Sequence, residues 1–238
     1  MVMTRRDIPP IDMVKSAWEP FKDNLLLTLG VPAILIYVPL ILVAVPVSII
    51  SVIVLGAAAL TNPKSMLAIW PVVVIGCFAF AVVYNLIRVG WTRILLKLAA
   101  GEHPPFSELT KATPWFWNFL IVNFLIGAAT FVGSLFFVLP GIFIAVRTCM
   151  APYLVVDRNM GPVEAIKESN NLVTGYSWQI LGYYVMFTVA NLVAGFVPIV
   201  HIVLPVAVMG FFDLALTKIY LMRAPSAAGV VVPGELTG

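Results

Sequence analysis

LLLTLGVPAILIYVPLILVAVPVSIISVIVLGAAAL, residues 25–60, is a stretch of 36 residues without a single charge. A hydrocarbon core about 30 Å thick is crossed by roughly 20 helical residues, so the stretch is long for one crossing and short for two. Pro32, Pro39 and Pro46 recur every seven residues and place their kinks on one face of a single helix. Charge decides between one crossing and a hairpin. Arg5, Arg6, Lys15 and Lys22 precede the stretch, while Arg88, Arg93, Lys97 and Lys111 follow the next apolar run at 67–87. The positive-inside rule puts both clusters on one side, which requires an even number of crossings between them. One tilted, kinked crossing at 25–60 followed by one at 67–87 meets that condition, and a hairpin at 25–60 does not. The run is also longer than the roughly 7–15 residues of a signal-peptide core and lacks a small-residue cleavage site, so it is expected to be retained as a membrane helix.

The rest of the chain has the same character. Of its 238 residues 61% are hydrophobic and 11% charged, with a mean hydropathy of +1.04, against about 25% charged in soluble domains. A chain of this size cannot enclose so much apolar surface by itself. Further apolar runs fall at 115–138, 141–157, 178–197 and 199–222, and in lipid each must be helical to satisfy its own backbone. The expected fold is therefore all-α, a polytopic transmembrane bundle of six spans arranged as three hairpins. Short turns are expected at Thr61-Asn62-Pro63-Lys64, at Leu139-Pro140-Gly141 and near Pro198. Of the fourteen Lys and Arg residues, only Lys64 then lies opposite the others. This predicts a prokaryotic cytoplasmic-membrane (inner-membrane) location with both termini cytoplasmic.

Residues 1–24 form an expected cytoplasmic interfacial helix, because Ile11, Val14, Trp18, Phe21 and Leu25 recur at steps of three and four between charged positions. Pro20 is expected to kink or interrupt it. Within the membrane domain, 25–223, two further interfacial stretches are expected near 103–114 and 161–176, the latter with Pro162 at a helix start and Gly175 at its end. Residues 224–238, rich in Gly, Pro and small side chains, are expected to form a flexible cytoplasmic tail. Trp117-Asn118-Phe119-Leu120 and Trp178-Gln179-Ile180-Leu181 repeat one pattern at the start of a span, with a looser counterpart at Phe21 to Leu26. This suggests three related units, each a surface helix plus a hairpin.

Residues 139–169 carry a resemblance. Leu139-Pro140-Gly141-Ile142-Phe143-Ile144-Ala145-Val146-Arg147, then Ala151-Pro152-Tyr153-Leu154-Val155-Val156-Asp157, then Gly161-Pro162-Val163-Glu164-Ala165-Ile166-Lys167-Glu168-Ser169 resemble the signature of a widespread prokaryotic membrane superfamily. It includes the membrane domain fused to some bacterial glycerophosphoryl diester phosphodiesterases, together with many uncharacterised small integral membrane proteins. The positions that carry the likeness are Pro140, Gly141, Arg147, Pro152, Asp157, Gly161 and Glu164. Those enzymes keep their chemistry in a separate soluble barrel that this chain has no room for. The resemblance thus implies a membrane module without the enzyme and transfers no catalytic residue.

Intramembrane polar residues are the remaining candidates for function. Charges at bilayer depth are costly and usually pair or face water. Arg147, read as mid-helix, and Asp213 are expected to pair, with Arg88 as a competing partner for Asp213. Asn123 and Asn191 extend this candidate network, and Asn85 is a further intramembrane amide. Ala129–Gly133, Ala190–Ala194 and Asn191–Gly195 have the spacing that lets helices approach closely. His103 and His201 fall on opposite sides, and Cys77 and Cys149 lack neighbouring ligands, so neither a metal nor any cofactor is expected. No phosphate loop, nucleophile elbow or metalloprotease motif occurs. The net charge of +3 leaves no footprint for nucleic acid. The first expectation is a non-enzymatic scaffold or subunit organising lipid or other membrane proteins, with lipids, copies of itself or other membrane proteins as partners. A small transporter or channel with a polar path near Arg147 and Asp213 ranks second. An intramembrane lipid enzyme using Asp157, Glu164, Glu168 and His103 ranks last.

Overall fold

A computed structural model describes residues 10–61, 69–110, 113–195 and 203–224. Arg5, Arg6, the turn at Asn62-Pro63-Lys64, Lys111, the turn near Pro198, His201 and the expected tail beyond Ala224 lie outside the described residues, as do the side chains of Ile11, Val14, Ala194 and Gly195. The described residues are helical, without a strand. In chain order they form α1 (Pro10–Asp23), α2 (Leu25–Pro39), a π-helical turn (Leu40–Ala44), α3 (Val45–Thr61), α4 (Ile69–Ala99) and 3₁₀ turns at Phe106–Thr110 and Thr113–Trp115. They continue with α5 (Phe116–Phe136), α6 (Val138–Thr148), α7 (Ala151–Arg158), α8 (Pro162–Val173), α9 (Ser177–Gly195) and α10 (Val203–Arg223).

The long opening stretch runs from Leu25 to Thr61 without a turn. Pro39 has no N–H to offer the preceding turn. The N–H of Leu40 reaches the Tyr37 carbonyl, and that of Val45 reaches back five residues to Leu40. One π turn thus absorbs the fault and the helix goes on. Pro32 has a different consequence. It leaves the Thr28 carbonyl without its usual helical donor, and α10 approaches there through Gly210. A Cβ at position 210 would collide with the Thr28 oxygen and come within 3.2 Å of Pro32 Cγ.

α10 packs against α1, α2, α4 and α9, and α4 against α2, α3, α5 and α7. Consecutive elements also pair, α3 with α4, α5 with α6 and α9 with α10. The bundle has two unlike ends. At one, large apolar side chains point outward from α3 (Val52, Ile53), α4 (Ile75, Phe78), α5 (Phe131, Phe136) and α9 (Val189, Leu192). At the other, the second half of α4 buries Trp91, Ile94, Leu95 and Leu98 against the wholly buried Leu154 and Val155 of α7 and Leu214, Ala215 and Tyr220 of α10. α1 docks here too, burying Ala17 and Phe21 and setting Phe21 edge-on to Phe211 at 5.3 Å. Pro20 lies within α1 without ending it.

Five helical segments are long and apolar enough to cross a bilayer among the described residues: Leu25–Ile53, Trp70–Ala99, Phe116–Phe136, Leu139–Arg158 and Leu204–Arg223. The fifth expected crossing, 178–197, falls on α9, whose Gln179, Tyr183, Tyr184 and Asn191 lower its hydropathy and leave it outside that set. Three boundaries differ from the sequence reading. The second span does not end at 87, since α4 continues through Arg88, Arg93 and Lys97. Leu139-Pro140-Gly141 is not a turn but the first turn of α6, where Pro140 costs no hydrogen bond; extended Phe137 is the connection. The fourth apolar run is not one helix, because it breaks at Cys149–Met150 and Pro152 opens α7.

Candidate functional site

The centre of the bundle holds an ion pair between α4 and α10. Arg88 Nη1 and Trp91 Nε1 donate to Asp213 Oδ2 at 2.5 and 2.8 Å, and Arg88 Nη2 donates to Oδ1 at 3.1 Å. Arg88 and Trp91 stand three residues apart, on one face of α4, so both reach the same carboxylate. The pair is mostly enclosed, with side-chain exposures of 24% and 14%. The expected Arg147–Asp213 pair does not form. Arg88 takes Asp213 because α4 and α10 pack directly, whereas α6, which carries Arg147, packs on α5, α8 and α9.

Arg147 is not mid-helix either, for it lies in the last turn of α6. Its Nη1 donates to Asn170 Oδ1 at 3.1 Å, and its guanidinium lies 4.4 Å from the Phe143 ring centre. The neighbouring Ser169 holds the helix break together: its hydroxyl donates to the Arg147 carbonyl at 2.9 Å and accepts the Met150 N–H at 3.1 Å. α8 therefore supplies the backbone partners that the interrupted α6–α7 segment lacks. Sequence reasoning did not single out Ser169 or Asn170, although Ser169 closes the stretch that carries the resemblance.

The candidate network of Arg88, Asn123, Arg147, Asn191 and Asp213 thus resolves into separate contacts. Asn123 donates to Asn85 Oδ1 at 3.1 Å and to the Phe119 carbonyl at 3.0 Å. Asn191 donates to the Phe187 carbonyl of its own helix. The signature positions sit at helix ends and joints. Gly141 packs so close to α5 that a Cβ would strike Ser134. Asp157 accepts the Tyr220 hydroxyl at 2.7 Å. The carbonyl of Gly161 accepts the first bond of α8 from Ala165, and Glu164 stands exposed in that helix's first turn, where a negative charge is favourable. A further charge cluster had gone unread. Glu108 is buried and pairs with Arg93 at 3.0 Å and Lys97 at 3.4 Å. Its 3₁₀ turn lies so close to α4 that a Cβ on Gly90 would sit 2.5 Å from the Leu109 oxygen.

Beside the ion pair lies a cavity of about 370 Å³. Its polar lining includes Arg88, Thr92, Tyr153 and Asp213, and its apolar lining Phe119, Ile126, Ala145, Phe187 and Met209. Thr148 and Cys149 reach it from the α6–α7 break, and Tyr184 from α9. Arg147 is not among its lining residues. The cavity is lined from α4, α5, α6, α7, α9 and α10. Two outer grooves are almost wholly apolar. One, of about 510 Å³, runs between α6 and α9 past Phe143, Trp178 and Leu181. The other, of about 490 Å³, runs past Leu25, Leu29, Tyr37 and Val206.

The chain is similar to a UPF0259 membrane protein of Pectobacterium carotovorum subsp. carotovorum (strain PC1), with 29% identity over 157 residues. The match covers 62% of this chain and 62% of that relative. No family model matches the chain, and no solved structure does. The similarity to this bacterial membrane protein and the apolar helices together support an integral membrane protein with transmembrane helices. The relative's name carries no phosphodiesterase, so that link stays a resemblance of one stretch of sequence.

Proposed function

We propose that this integral membrane protein is a non-enzymatic scaffold or subunit that organises lipid or other membrane proteins, with six crossings in three hairpins and its basic end in the cytoplasm. The observation that carries this is how its polar groups are spent. Arg88 and Asp213 neutralise each other, Arg147 is held by Asn170, and Asp157 receives Tyr220. The surface left over is a wide apolar face and two apolar grooves. In this reading α9 is the fifth crossing. The exposed Trp117 and Trp178, at the starts of α5 and α9, then occupy the cytoplasmic interface where indole rings concentrate. The enzyme reading, with Asp157, Glu164, Glu168 and His103 as its groups, ranks last; His103 meets Asn24 and Asn171 donates to Glu168.

A small transporter or channel is the second reading. It is favoured by the cavity beside Asp213 and by the faults in two helices, at Leu40–Ala44 and Cys149–Met150. It ranks second because the charges beside the cavity are already paired and Arg147 faces elsewhere. Isolation from native membrane followed by mass measurement of the intact particle tests the first reading. Recovery with a fixed number of copies, lipids or a stoichiometric partner supports it; a bare, lipid-free monomer contradicts it.

A further inference from the structure

The cavity beside the ion pair has a chemistry of its own, which deepens the lipid-organising reading and rests on it. A hydroxyl has one proton and two lone pairs. Thr92 spends its proton on the Arg88 carbonyl at 2.9 Å, and Thr148 spends its own on Ile144 at 2.8 Å. Tyr183 donates to the Phe212 carbonyl. Asn123 uses its amide N–H groups on Asn85 and Phe119. Those four side chains therefore turn mainly acceptor capacity toward a guest and Asp213 adds a negative charge, while the hydroxyls of Tyr153 and Tyr184 can donate as well as accept. An ionised carboxylate or phosphate, which only accepts, is poorly matched to such a lining. It also gains no free counter-charge, because Arg88 is committed to Asp213 through two bonds.

The guest's size and remaining surface follow from the cavity's volume and its apolar lining. Phe119, Ile126, Phe187 and Met209 are hydrocarbon or aromatic, the usual composition of a small-molecule site with a few placed polar groups. At 370 Å³ the space holds about a dozen units of water size, at roughly 30 Å³ each. That encloses a polar end and part of one chain, and is too small to enclose a whole two-chain phospholipid. We infer that the cavity binds a single-chain, uncharged, hydroxyl-ended amphiphile taken from the membrane, with the hydroxyl donating to Thr148 or Asn123 and the chain lying against Phe119, Ile126 and Phe187.

The test uses the full chain in phosphatidylcholine nanodiscs, with hexadecanol carrying a photoactivatable diazirine as the probe and peptide mass spectrometry as the readout. Saturable labelling of the segments around Thr148–Tyr153 and Tyr183–Phe187 is expected. Unlabelled hexadecanol should displace it at least ten-fold more effectively than palmitate or hexadecyl phosphate. Ala145→Phe, which fills the cavity, should lower labelling about ten-fold, and Ile126→Trp serves the same purpose if the first variant does not fold. Thr148→Val, which keeps the shape and removes the acceptor, should weaken hexadecanol binding several-fold and leave the thermal transition in place. Labelling confined to outward residues such as Phe78 and Leu192, equal displacement by palmitate, or indifference to both filling variants overturns the inference. A fixed assembly recovered from membranes without cavity labelling leaves the organising role standing and removes this site; labelling of a chain that isolates alone does the reverse.

Discussion

Asp213 receives three donors from two side chains, and that concentration makes it the most sensitive residue in the molecule. Asp213→Asn leaves the enclosed Arg88 without its counter-charge. Breaking such a pair from one side costs about 3–5 kcal/mol, so a thermal melt in detergent should show a large loss. The double variant Arg88→Met with Asp213→Leu should be markedly less harmful than the sum of its parts, because no charge is stranded. Additive losses would mean that the two side chains do not interact. Ser169 is the second such residue. It serves both sides of the α6–α7 break and is fully buried, so Ser169→Ala should cost about 1–3 kcal/mol, the range for stranding a buried backbone group. Ser169→Thr or a neighbouring Asn171→Ala change serves as the control for general disturbance of α8, and Asn171→Ala should be close to neutral.

At the level of elements, the helices are joined by backbone contacts at glycine. Gly90 admits the Leu109 backbone, and Gly210 admits the Thr28 carbonyl. Gly90→Ala should destabilise by about 1–3 kcal/mol, as overpacking does, and should release the 3₁₀ turn that carries Glu108. Proteolysis between residues 100 and 112 would read this out as faster cleavage; an unchanged rate would contradict the contact. These elements also show what the sequence discloses. The uncharged run at 25–60 announces a long helix, and its prolines mark where that helix deviates. The second half of α4 was misread because charge was taken as the end of a span. Trp91, Ile94, Leu95 and Leu98 recur at steps of three and four, and that signal alone carries the helix on to Ala99. The break at Cys149–Met150 is harder to see, since Pro152 stands beyond it and a proline in a first helical turn leaves the preceding residues free to be helical or not. The partner of Asp213 could be narrowed to Arg88 or Arg147 from sequence, but the choice depends on which helices touch. Glu108 was invisible for the same reason, because its two cations lie on another element.

The molecule as a whole joins an apolar, outward-facing end to a densely packed basic end. The second end is where the surface helices, the α6–α7 joint and most of the described cations collect. It explains why α4, 31 residues long, is more than a span: its first half meets lipid and its second half meets protein. The parallel between Trp117 with Phe119 and Trp178 with Ile180 belongs to this scale. In each pair the indole is exposed and the residue two positions on is buried, so α5 and α9 begin in the same way. The threading of the chain through the bilayer is open to accessibility labelling. In a Cys77→Ala, Cys149→Ala background, single cysteines are placed at Lys64, Ser107 and Lys167 in intact cells and treated with a membrane-impermeant maleimide. Only the Lys64→Cys protein should react from outside, with Ser107→Cys and Lys167→Cys reacting together once the membrane is opened. Reaction of Ser107→Cys and Lys167→Cys from opposite faces would contradict it.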